Sequence, residues 1–124
     1  MNRLLRIILL AGLLGHSGLY AQKTYYSYQS GDWGNPSTWT TDPSGTLLEN
    51  EGLPGITDTV VILNGRRIFT TVSRTVAALD LSAGAVLDLG TTTGHNFGIF
   101  SGSGRLRIAS SSFHAGIPSS FVAQ

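Results

Sequence analysis

The chain has 124 residues, with 8 Lys+Arg against 7 Asp+Glu, 12% charged residues, 16 Gly and no cysteine. That length allows one small domain and no more. The absence of cysteine excludes the disulfide framework with which small secreted domains usually offset a thin core, and a net charge of +1 supplies no basic field for nucleic acid or an anionic membrane.

The N-terminus is read first. Arg3 and Arg6 precede an apolar stretch, Ile7 to Leu14, interrupted only by Ala11 and Gly12. Leu19-Tyr20-Ala21 then forms a small-residue cleavage site, with Gln22 as the first mature residue. Basic, apolar, cleavable is the order of a secretory signal peptide. A membrane-spanning helix needs about 20 apolar residues, and His16 and Ser17 end this one early. Residues 1–21 are therefore expected to be removed on export, leaving no stable membrane span. Arg3 and Arg6 leave with them, so the mature chain carries 6 basic against 7 acidic residues, a net of −1.

Residues 22–57 are aromatic, polar and turn-rich. Tyr25, Tyr26, Tyr28, Trp33 and Trp39 are interleaved with Gly31-Asp32, Asn35-Pro36 and Asp42-Pro43-Ser44-Gly45. The last is a turn with a mechanism: Pro presets φ and Gly accepts a positive φ. Residues 58–124 read as short apolar strands separated by Gly, Ser or Thr.

Those strands repeat. A shift of 19 residues aligns Ile62 with Leu81 and Phe100, Ile68 with Leu87 and Leu106, and Thr70 with Leu89 and Ile108. Gly65 falls on Gly84 and then Ser103, whose neighbour Gly104 keeps the turn. Leu79-Asp80-Leu81 and Leu87-Asp88-Leu89 alternate as strands with one buried face do. A period near 20 is the mark of a solenoid. The expected fold is all-β: a right-handed parallel β-helix of about three coils, with residues 22–57 as an aromatic cap on its first coil. Alternation also suits an antiparallel β-sandwich, the alternative. After Phe113 the segment to Gln124 contains Ile117-Pro118 and Phe121-Val122 but no second cap. An open last coil would expose strand edges. The expectation is that a downstream chain or a partner covers that end, and that the chain is the N-terminal part of a longer protein.

Ser30-Gly31-Asp32-Trp33-Gly34-Asn35-Pro36-Ser37-Thr38-Trp39 resembles the opening element of large secreted Bacteroidota proteins. Pro54-Gly55, Asp58-Thr59-Val60-Val61-Ile62 and Asn64-Gly65 resemble the element that follows it in them. Leu87-Asp88-Leu89-Gly90, Gly94-His95-Asn96-Phe97-Gly98 and Ser101-Gly102-Ser103-Gly104 continue the likeness, which covers nearly all of residues 24–113. A more distant resemblance is to the eukaryotic extracellular domain named for its eight glycines. The resemblance implies a β-helical module of a secreted or cell-surface protein of a Gram-negative bacterium, often exported by the type IX route. It implies no set of catalytic residues.

The candidate chemistry is sparse. Asp80 and Asp88 would be the acidic residues of a polysaccharide-cleaving protein, but acid/base work needs a second carboxylate at hand. The shift of 19 sets Asp80 between Val61 and Ile99. It also sets Asp88 between Phe69 and Arg107, where an ion pair with Arg107 is expected. Asp32, Asp42, Glu49, Glu51 and Asp58 are too scattered for the converging oxygens that calcium requires. His95 and His114 have no partners at metal-ligand spacing, and Thr91-Thr92-Thr93-Gly94 lacks the lysine and helix of a phosphate loop. No catalytic, cofactor or metal residue is therefore assigned, and the chain is not expected to be an enzyme. Trp33 and Trp39, with Tyr26 and Tyr28, are candidate glycan contacts, since aromatic faces stack on sugars; their competing role is packing. The expected function is a secreted or surface structural and interaction module, adhesin-like, whose partner is an extracellular glycan or a surface protein. The alternative is a carbohydrate-binding module or the non-catalytic start of a polysaccharide-degrading protein.

Overall fold

The computed structural model describes residues 22–49 and 52–109. The signal peptide expected over residues 1–21 and the open segment expected over 114–124 lie outside the described residues. Nine strands run in chain order: β1 (Thr24–Ser27), β2 (Gly31–Asp32), β3 (Trp39–Thr40), β4 (Thr59–Ile62), β5 (Arg67–Phe69), β6 (Ala78–Leu81), β7 (Val86–Asp88), β8 (Ile99–Gly102) and β9 (Arg105–Arg107). They form two sheets. One has five strands in the order β3-β1-β4-β6-β8, the other four in the order β2-β5-β7-β9. From β4 onward the chain alternates between the sheets, one strand at a time.

The period-2 patterns sort the side chains as expected of strands with one buried face. Val60 and Ile62 of β4 and Leu79 and Leu81 of β6 point inward, as do Ile68, Leu87 and Leu106 of β5, β7 and β9. Their outward neighbours include Arg67, Phe69, Arg105 and Arg107. Each fully buried Val, Leu or Ile contributes roughly 1.5–3 kcal/mol relative to exposure.

Registers carry the repeat into three dimensions. β4 pairs with β6 and β5 with β7 at an offset of 19, as in Val60↔Leu79 and Ile68↔Leu87. β7 and β9 keep it, as in Leu87↔Leu106. β6 and β8 do not: Leu79 pairs with Phe100 and Leu81 with Gly102. The expected columns Ile62–Leu81–Phe100 and Val61–Asp80–Ile99 are corrected accordingly, Asp80 lying beside Ser101. The physical reason is a transfer of length between two turns. The connection before β8 spans residues 89–98 where its predecessor spans 70–77, and the turn after it spans only 103–104 where its predecessor spans 82–85. Two residues gained in the first are returned in the second.

The aromatic segment is built into both sheets. The chain turns after β2, where Thr38 Oγ1 donates to the Asp32 carbonyl (2.8 Å) and the Asn35 side chain accepts from the Ser37 amide (3.0 Å). Pro36 opens the short 3-10 turn Pro36–Thr38, a position where its missing N–H costs nothing. β3 consequently returns antiparallel to β1 (Tyr26↔Thr40), while β1 pairs parallel with β4 and β2 parallel with β5. Trp33 and Trp39 are 1% and 0% exposed. Their rings meet edge-on at 5.0 Å, and Trp39 Nε1 donates to the Trp33 carbonyl at 2.8 Å. Trp33 also stacks on Phe97 at 6.0 Å.

The expected right-handed parallel β-helix with a separate aromatic cap is therefore not what forms. Two sheets are present, one of them mixed, and the segment assigned to the cap supplies β1, β2 and β3 to both. An antiparallel sandwich is equally unlike it, because β1–β3 is the single antiparallel pairing among the described strands. Periodicity reports which residues face inward and which are neighbours. It is silent on how strands divide into sheets and on the direction of an edge strand set by a local turn.

Two stability predictions follow from this packing. Gly98 has φ +58, and a Cβ there would run into the Ala77 carbonyl, whereas Gly65 has φ +81 with open space around it. In urea denaturation Gly65→Ala costs about 1–2 kcal/mol, the left-handed penalty alone, and Gly98→Ala costs clearly more. Trp39→Ala, which empties a buried site and orphans a carbonyl, costs about 3–5 kcal/mol; an unchanged unfolding midpoint would place the ring outside the core.

Candidate functional site

Trp33 and Trp39 have no free ring face to offer a sugar, so of the candidate glycan contacts these two belong to the core. Tyr26 and Tyr28 are half-buried, in and just after β1. The scattered carboxylates organise loops. Asp32 Oδ1 accepts from the Gly34 amide (2.8 Å), and Asp58 accepts from the amides of Lys23 (2.9 Å) and Gly55 (2.7 Å). Glu49 Oε2 accepts from Thr41 Oγ1 (3.1 Å). Glu51 and His114 lie outside the described residues. Among the described residues no group of three His, Cys, Asp or Glu is placed to hold a metal.

Asp42 is the most engaged of them. Its carboxylate accepts from Ser44 Oγ (2.6 Å) and from the amides of Leu47 (3.0 Å), Thr46 (3.1 Å) and Ser44 (3.3 Å). The Ser44 hydroxyl first, then the Leu47 amide, hold its pKa at about 2 against an ordinary 3.8. His95 is buried inside the longer turn: Nδ1 accepts from the Arg74 amide (3.0 Å) and Nε2 lies 2.8 Å from Thr92 Oγ1. Its ring stacks on Phe97 at 5.2 Å. The run Thr91-Thr92-Thr93-Gly94 before it begins in a turn over Leu89–Thr92, closed by the Thr92 amide on the Leu89 carbonyl (2.9 Å).

Charge and exposure converge elsewhere, on the outer face of the four-stranded sheet. The column Asp32–Phe69–Asp88–Arg107 crosses all four strands. Asp88 Oδ2 accepts from Arg67 at 2.7 Å and from Arg107 at 3.1 Å, while Oδ1 accepts from the Gly90 amide at 3.0 Å. Partial burial works to raise the Asp88 pKa, but the Arg67 hydrogen bond, the Gly90 amide and the two guanidinium charges together hold it below the ordinary value. Both arginines are more than half exposed, so each pair contributes only about 0–1 kcal/mol. Beside them lies an open groove of about 560 Å3, lined by Phe69, Arg67, Asp88, Ser30 and Gly31. The column Phe69–Asp88–Arg107 and the pairing of Asp88 with Arg107 were legible in the 19-residue shift; Arg67 and Arg105 as members of the same surface were not singled out. Their signal is the outward alternation in Arg67-Ile68-Phe69 and Arg105-Leu106-Arg107.

No protein-family model, curated protein or solved structure matches this chain.

The Asp42 loop has a pH dependence with a definite sign. A depressed carboxylate pKa stabilises the fold above its unfolded value and ceases to do so as pH falls through the folded one. The Asp42 carboxylate's contribution to holding the 42–47 loop is therefore complete above its ordinary pKa of 3.8 and is lost as pH falls towards 2. Amide exchange of Thr46 and Leu47 accelerates over that window, and Asp42→Asn removes the dependence.

Proposed function

We propose that this chain is an exported module of the bacterial cell surface or surrounding medium, with a structural and interaction role and no catalysis of its own. The observation that carries this reading is the in-register parallel stacking of β4–β6–β8 and β5–β7–β9. Short parallel strands paired side by side display rows of side chains on their outer faces, which suits presentation better than turnover. Two further features support it. Asp88, the carboxylate nearest a groove, is held by two arginines, and Asp80 sits between Val61 and Ser101, without the partner that acid/base chemistry needs. The leader over residues 1–21 and the resemblance to secreted Bacteroidota proteins support export; a longer native protein, sorted by the type IX route, belongs to the same reading.

The test is the location, N-terminus and intact mass of the native protein, captured with an antibody against residues 22–60 from cytoplasm, outer membrane and medium. Recovery outside the cytoplasm with Gln22 as first residue is expected. Cytoplasmic protein retaining Met1 overturns the proposal. A mass well above that of residues 22–124 would make this the first part of a longer surface protein.

A further inference from the structure

We propose that the outer face of β2-β5-β7-β9 binds an anionic polysaccharide, one whose sugar rings carry carboxylate or sulfate groups. This ligand class presupposes the extracellular reading above and gives it a site. Phe69 lies in a strand paired on both sides, by β2 and β7, yet is 42% exposed. A single exposed apolar side chain needs no explanation. This one borders an open groove whose volume falls in the range of small-ligand sites, and its flat face is of the kind that stacks on the C–H face of a sugar ring.

The charge of the ligand follows from the arginines. Arg67, Arg105 and Arg107 are all exposed on this face, half of the six cations in residues 22–124. The chain beyond its leader has a net charge of −1, so this concentration is local. Asp88 Oδ2 takes one N–H from Arg67 at 2.7 Å and one from Arg107 at 3.1 Å and so gathers the guanidiniums of β5 and β9 around one carboxylate oxygen. A guanidinium has five donors, and those not given to Asp88 form the planar fork that matches a carboxylate or sulfate. Held in place before the ligand arrives, they lose little freedom on binding. Single-stranded nucleic acid would use arginines and an aromatic ring too. Against it, Phe69 is the one exposed aromatic ring among the described residues of this face, whereas a nucleic-acid strand stacks successive bases on several rings.

The purified full chain is passed over immobilised polygalacturonate and alginate, over chondroitin sulfate, over neutral dextran, and over single-stranded DNA. Retention by the uronate polymers or by the sulfated one is expected, and which of the two identifies the acidic group. Retention falls steeply between about 0.01 and 1 M salt. Arg67→Gln with Arg107→Gln weakens binding by about tenfold or more, and Phe69→Ala by about threefold to tenfold. These side chains are exposed, so circular dichroism and the melting temperature stay at the parent values, and Lys23→Gln, just before β1 of the other sheet, leaves binding unchanged. Three results overturn the proposal: no retention on any acidic polymer, retention indifferent to these substitutions, or tighter retention on DNA. Failure here leaves the export measurement standing, and a cytoplasmic location would remove the extracellular reading while leaving this binding result intact.

Discussion

None of the strands is long enough to hold itself in place. They run from two to four residues, and a backbone segment that short satisfies its N–H and C=O groups only by pairing with neighbouring strands. Here those neighbours are the equivalent residues about one repeat earlier and later, as the offsets Val60↔Leu79↔Phe100 and Ile68↔Leu87↔Leu106 record. The same pairing stacks the inward Val, Ile and Leu residues into continuous columns. Hydrogen bonding and apolar burial are thus satisfied by one geometric act. A change that alters the spacing at one level has to be absorbed by a turn, as the lengthened segment before β8 and the shortened one after it do.

The first level of this stack is where the regularity ends, and the two tryptophans carry it. Trp33 and Trp39 arrive in the core from a turn organised by Asp32, Asn35 and Thr38, and the indole N–H of Trp39 finds the Trp33 carbonyl. A buried Trp is stable only with that donor satisfied. The turn that supplies the acceptor also reverses the chain and makes β3 antiparallel. Aromatic packing and the mixed character of the five-stranded sheet are therefore one event.

Function is left to the outside. Inward positions are occupied by packing, and the loop carboxylates of Asp32, Asp42 and Asp58 by local hydrogen bonds. What is free to meet a partner is the outward half of each strand. On the four-stranded sheet that half carries Phe69 with Arg67, Arg105 and Arg107, and Asp88 accepts hydrogen bonds from two of these arginines.

The sequence by itself determined that the chain from Asp58 onward forms short strands, the inward faces of β4 to β7 and β9, and the column that joins Asp88 to Arg107, because period-2 alternation and a 19-residue spacing are properties of the chain read in one dimension. Tertiary structure alone decided three other things. It divided the strands between two sheets and turned β3 around, since sheet membership depends on where turns redirect the chain. It moved the β8 register by two residues, because a compensating change in the next turn is invisible to a fixed shift. And it drew Trp33 and Trp39 inside while leaving Phe69 out, because an aromatic residue's exposure is set by the neighbours that pack against it, not by its type.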